Sequence, residues 1–184
     1  SLSGNNVSPF SHYYGGYKHQ YLIRASELTA AGLTAGTFNS LGIVVTTAGT
    51  TYNGFALNLA NTSATALTTT FATPTFTNVF SGNITPTLGT YTIPFSSSTF
   101  SWDGTSNIII QTCWSNNNTG GTAAEVRFDA SAYNAASYYR VDNTLPATVC
   151  AATTATTLTN RPQFIINNTP ICASLRTAVV ATIN

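Results

Sequence analysis

Apolar residues in this chain recur at every second position, in short runs bounded by turn residues, and only rarely at helical spacing. Residues 20–24 form a brief apolar run, and within 37–45 Leu41, Ile43 and Val45 fall on one face. Phe55, Leu57 and Leu59 alternate with Ala56, Asn58 and Ala60 directly after Asn53-Gly54, a dipeptide that favours tight turns. Residues 76–81 alternate again, and 91–95 carry Pro94, which marks an edge strand or a strand end. Residues 107–114, with Ile108-Ile109-Ile110, are the most apolar run and predict a strand at the centre of a sheet. The polar run 115–121 (SNNNTGG) predicts a hairpin tip. Segments 125–129, 137–141, 163–167 and 175–183 bring the set to about ten strands, while 151–159 (AATTATTLT) fits a loop or a Thr-rich edge strand equally.

Helical patterning is confined to residues 26–32: Ser26 is the candidate N-cap, Glu27 lies at the positive end, and Gly32 can stop the turn. No strand–helix–strand alternation and no internal repeat are visible. The expected fold is therefore all-β, an antiparallel, jelly-roll-like β-sandwich with at most one short helical turn. One domain is expected over residues 1–168, followed by a strand-like tail at 169–184. In that tail Leu175, Thr177, Val179, Ala181 and Ile183 share a face after the break Asn168-Thr169-Pro170. Such a strand can close its own sandwich, open a following domain, or be exchanged with a neighbouring subunit.

Composition sharpens this picture. Only 6% of residues are charged, against roughly a quarter in an ordinary soluble domain. Yet 43% are hydrophobic, so the chain should fold rather than remain disordered. The surface must be coated with neutral polar groups, which 34 threonines and many Asn and Ser supply. A formal net charge of +1 gives no electrostatic footprint for nucleic acid or an anionic membrane, and no apolar run approaches the length of a membrane span. The chain contains no Met, so Ser1 is not a translation start, and a removed secretion signal is the natural explanation. Of three cysteines, Cys113 lies in the predicted central strand and Cys150 follows a Pro-containing loop. The favoured disulfide is Cys113–Cys150, leaving Cys172 for an intermolecular bridge or as a free thiol.

Candidate chemistry is sparse. Glu125 and Asp129 could share a strand face, but with Arg127 between them an exposed edge strand is the simpler account. His12-Tyr13-Tyr14-Gly15-Gly16-Tyr17-Lys18-His19 is dense in aromatics. Tyr13, Tyr14, Tyr17 and Trp114 are candidate stacking groups for a glycan, although an N-terminal strand packed across a sandwich needs the same residues. Asp103-Gly104-Thr105-Ser106 offers oxygens to a hard cation but reads more simply as an Asx turn. Asn6, Asn61, Asn83, Asn117 and Asn167 begin N-x-S/T triplets, which arise readily by chance in such a composition. No catalytic, cofactor-binding or metal-binding set is identified.

Three blocks stand together: His19-Gln20-Tyr21-Leu22-Ile23-Arg24-Ala25-Ser26-Glu27-Leu28 with Ala31-Gly32-Leu33; Trp102-Asp103-Gly104-Thr105-Ser106-Asn107-Ile108 leading to Cys113; and Asn160-Arg161-Pro162. In this order they resemble a β-sandwich module of large secreted and cell-surface proteins of Bacteroidota, over roughly residues 9–167. Those proteins are often associated with type IX secretion and carry fibronectin-type-III-like domains. The resemblance implies export and an adhesion or matrix role, and it brings no catalytic residues. The expected function is a non-catalytic extracellular structural protein whose subunits assemble with their own copies into a surface fibre or layer. The alternative is an adhesion or carbohydrate-binding module that recognises surface glycans.

Overall fold

The computed structural model describes residues 7–171, and the tail residues Cys172, Leu175, Thr177, Val179, Ala181 and Ile183 lie outside them. The described chain forms β1 (Gly16–Ile23), α1 (Ala25–Ala30), β2 (Gly36–Thr47), β3 (Tyr52–Thr62), β4 (Thr77–Ile84), β5 (Gly89–Pro94) and β6 (Phe100–Trp102). It continues through β7 (Asn107–Ser115), β8 (Glu125–Val126), β9 (Phe128–Ala130), β10 (Ala136–Val141), α2 (Pro146–Cys150), β11 (Thr156–Leu158), β12 (Asn160–Pro162) and β13 (Phe164–Pro170). One sheet has the order β11-β10-β1-β7-β3-β4. The other runs β13-β2-β5, with β6 and β8 also on β2, and β9 and β12 form a separate ribbon. Every strand pair is antiparallel. The fold is an all-β sandwich, as the alternation predicts.

The two sheets bury one core between them, in which Tyr21, Phe38, Leu41, Ile43, Leu57, Leu59, Ile108 and Ile110 have no exposed surface. In β2 the inward positions switch from even (Phe38) to odd (Leu41, Ile43, Val45). The register against β13 slips at that point, from Asn168↔Phe38 to Asn167↔Ser40. One extra residue in β2 makes a bulge, and the same point is where its partner on the other side changes from β6 to β5. Asn53-Gly54 behaves in the same way: it is not a turn between strands but a bulge inside β3. Gly54 has φ +60, and the pairing with β4 jumps from Tyr52 to Phe55.

The segment before β1 is driven between the sheets. The Phe10 ring meets Tyr52 and Phe55 of one sheet at 5.7 and 6.0 Å, and Tyr91 of the other at 6.0 Å. Buried hydroxyls and an indole then satisfy its backbone: Tyr21 donates to the Val7 carbonyl at 2.7 Å, Tyr52 to Phe10 at 2.6 Å, and Trp114 Nε1 to Pro9 at 2.9 Å. Residues 115–121 are not a hairpin tip. They cross from β7 toward β8 in the opposite sheet and fold over this plug, where the Gly121 amide donates to the His12 carbonyl at 2.7 Å. The Asn118 side chain meets His12 and that of Asn116 donates to the Thr51 carbonyl, contacts that a reading of polarity could not reveal.

The outer face of the six-stranded sheet is also covered. Leu22, Leu67 and Ile109 form a second buried cluster, and α2 lies across β1, β7 and β10. The Cys113–Cys150 disulfide ties α2 to the central strand with Cα atoms 5.4 Å apart. This second helix exceeds the single turn expected, and its signal was Pro146 in the first helical position. Lys18 is buried beneath it and donates to the carbonyls of Cys150 and Ala152, both at 2.8 Å, where a cation complements the negative end of the helix. The first helix starts two residues earlier than the expected N-cap implies. Arg24 rather than Ser26 occupies the N-cap, and Glu27 accepts the Arg24 amide at 2.8 Å. Gly32 (φ +86) closes it as expected, with Gly32 and Leu33 amides returning to the carbonyls of Thr29 and Leu28. The stretch 151–159 divides between both readings: a loop follows α2, and β11 is an edge strand beside β10.

Candidate functional site

Among the described residues, two surface regions bear on the candidate chemistry. The first is the aromatic N-terminal segment. Tyr13 is 73% exposed and Tyr14 half-buried, their rings 5.4 Å apart, and the Arg140 guanidinium lies 4.5 Å from the Tyr14 ring. The other two proposed stacking residues are not available. Tyr17 and Trp114 have no exposed surface, because both point inward from β1 and β7 and pack on each other at 5.9 Å. Tyr17 continues instead into a ladder with His19 and Tyr21 at ring spacings of 5.5 and 5.4 Å, all on the inward face of β1. Stacking on a sugar therefore falls to Tyr13 and Tyr14 alone.

The second place is a pair of adjoining clefts of about 450 and 400 Å³ beside α1. Glu27, Asp129 and Arg161 line both. Arg161, brought in by β12, donates to Glu27 at 2.8 Å, to the Leu22 carbonyl at 2.9 Å and to the Tyr133 hydroxyl at 2.7 Å. Tyr133 in turn donates to Glu27. Burial by itself would raise the Glu27 carboxyl, but hydrogen bonds from Arg161, Tyr133 and the Arg24 amide outweigh it and hold it below its usual range. A locked, ionised carboxylate does not serve as a general acid. Glu27 and Arg161 belong to two of the sequence blocks quoted above, and their ion pair staples α1 to the β9–β12 ribbon.

The remaining carboxylates are also engaged. Asp103 accepts the amides of Thr105 and Ser106 at 2.8 and 2.7 Å, the Asx turn expected of Asp-Gly. Hydrogen bonds from the Ser106 side chain and amide, then from Thr105, lower its carboxyl to about 2. Asp142 takes the Gly15 amide at 2.8 Å, Asp129 the Gln163 amide group at 2.9 Å, and Glu125 the Thr47 hydroxyl at 3.2 Å. Glu125 and Asp129 do not share a strand. The chain breaks at Arg127, so β8 joins β2 while β9 joins β12. Among the described residues no group of three or more His, Cys, Asp or Glu could hold a metal ion, and no helix is long and apolar enough to cross a membrane.

The larger cleft has a different character along its length. Ile23, Leu28 and Leu33 form one wall, and Phe164, Ile165 and Ile166 of β13 form the other. Successive strand residues point to opposite faces, so three in a row lining one cleft place it along the edge of β13 rather than on a face. Nothing in the alternation of 163–167 marked this edge as lying beside a cleft of mixed polar and apolar lining. No family model, no curated protein and no solved structure matches the chain.

Proposed function

We propose that the chain is a non-catalytic, secreted structural protein that assembles edge to edge with its own copies in a surface fibre or layer. The observation that carries this reading is the chemistry of the sheet edges. Proteins commonly guard edge strands with charged side chains, especially Lys. Here β4 (TNVFSGNI), β11 (TTL), β5 (GTYTIP) and β13 (FIINNTP) end the two sheets without a charged residue, and the two-residue β8 on β2 carries one, Glu125. Ile165 and Ile171 are 48% and 67% exposed on or next to β13, so this edge is apolar as well as uncharged. With 6% charged residues and a formal net charge of +1, there is little charge repulsion between copies. The disulfide supports an oxidising, extracellular setting. The resemblance to Bacteroidota surface modules supports the same reading.

Edge pairing uses backbone hydrogen bonds and apolar contact, neither strongly screened by salt. Sedimentation and electron microscopy of the purified chain should show polymers that persist at about 1 M NaCl, where the screening length is about 3 Å. A chain that remains monomeric at all concentrations would refute the reading. The alternative, an adhesin that binds glycans, rests on the exposed Tyr13 beside Tyr14 and Arg140. A glycan array in which binding disappears on Tyr13→Ala would favour it.

A further inference from the structure

We infer that the cleft along β13 is the acceptor site for the tail of a second copy, residues 174–184 of the neighbour lying as an added strand between β13 and α1. This rests on the self-assembly reading and names the contact that makes it. Among the described residues β13 pairs with β2 alone, so its other edge offers backbone donors and acceptors to a strand. An added strand there would lay its side chains against Leu28, Leu33, Phe164 and Ile166 on one side and Ile165 on the other.

Three features select the tail as occupant. Its pattern fits: Leu175, Val179 and Ile183 stand on one face with Thr177 and Ala181 between them, and nine residues at about 3.3 Å each span about 30 Å, more than the seven of β13 require. Its charge fits: the cleft holds two carboxylates, Glu27 and Asp129, against one guanidinium, Arg161, and the single charged residue of the tail is Arg176. Its connection favours a neighbour over the same molecule. To return beside β13 the chain would have to reverse within Ile171-Cys172-Ala173-Ser174, which contains no Gly, Asn or Asp for a tight hairpin. Head-to-tail donation of this kind does not close on itself and so propagates as a filament.

The test separates donor from acceptor. A chain lacking 174–184 keeps the cleft but has no tail. Ala31→Arg, at an exposed position on the cleft wall, keeps the tail but fills the cleft and opposes Arg176. Each variant alone should sediment as a folded monomer, with circular dichroism as the check on folding. Their equimolar mixture should form a one-to-one dimer and no polymer. Assembly of either variant alone, or a mixture that stays monomeric, would overturn the proposal while leaving self-assembly by another edge intact. Failure of the unaltered chain to assemble at all would refute the self-assembly reading itself, and the acceptor site with it.

Discussion

β7 and β13 are written in nearly the same apolar alphabet, yet they end in opposite environments. β7 (NIIIQTCWS) lies between β1 and β3. Ile108 and Ile110 enter the main core, while Ile109 on the other face is sealed by Leu22 and Leu67, so all three are fully buried. β13 (FIINNTP) has one strand neighbour among the described residues, and its Ile165 remains 48% exposed. An isoleucine in a strand therefore has no fixed fate. The number of flanking strands and the presence of a covering layer decide it. In β7 the cover is two-sided and partly covalent, through α2 and the disulfide; in β13, among the described residues, one edge has no strand partner and Ile165 stays half-exposed.

The contrast can be broken at the central strand first. Trp114→Ala removes a buried ring that packs against Tyr17, His12 and Tyr52 and anchors the plug through Pro9. It should cost about 3–5 kcal/mol in denaturant unfolding. A loss under about 1 kcal/mol would mean that residues 7–15 and the ring beneath them add little to the core. Next in size, the double change Cys113→Ser, Cys150→Ser should cost about 2–5 kcal/mol, measured against the unreduced parent. It frees α2 and with it the cover over Lys18.

A smaller effect concerns pH. His12 sits in the plug, and burial holds its imidazole below the ordinary value of 6.5, with hydrogen bonding to Asn118 and the Thr122 backbone opposing the shift only in part. The unfolded chain then binds a proton at a higher pH than the folded one. Stability from this group is complete above pH 6.5, declines as pH falls below it, and levels off once the folded imidazole also protonates. Thermal melts from pH 7.5 to 5 should show the decline, and His12→Gln should flatten it. A parent whose melting point does not change over that range would contradict this assignment. Smallest of all for the fold, Ile165→Ser should move stability by no more than about 0.5 kcal/mol, as expected for an exposed position. Its effect belongs instead to assembly, read as a higher concentration threshold in sedimentation.

Much of the fold was legible because alternation is local. Leu41, Ile43 and Val45 on one side of β2, the edge position of β5 given by Pro94, the Asp103 turn and the helix stop at Gly32 each follow from a few adjacent residues. The Cys113–Cys150 bridge followed from a central strand and a loop able to reach it. The candidate site was far less legible. Tyr14 and Tyr17 look alike in the sequence, but Tyr14 lies in the bend before β1 and stays half-buried, while Tyr17 inside β1 points into the core. Glu27 and Arg161 are far apart along the chain, and no pattern of spacing signals that they meet.

The sequence by itself determined that this protein is an all-β chain with short antiparallel strands and a surface almost without charge. Those properties reside in side-chain period and composition, which no packing can alter. Beyond the central β7 and the edge strand β5, only the tertiary structure decided which strands became centres and which became edges. It also turned Asn53-Gly54 into a bulge and 115–121 into a crossing loop, and it opened a cleft of mixed polar and apolar lining beside β13. Each of these depends on what another part of the chain covers, and cover is set by contacts between residues distant in sequence.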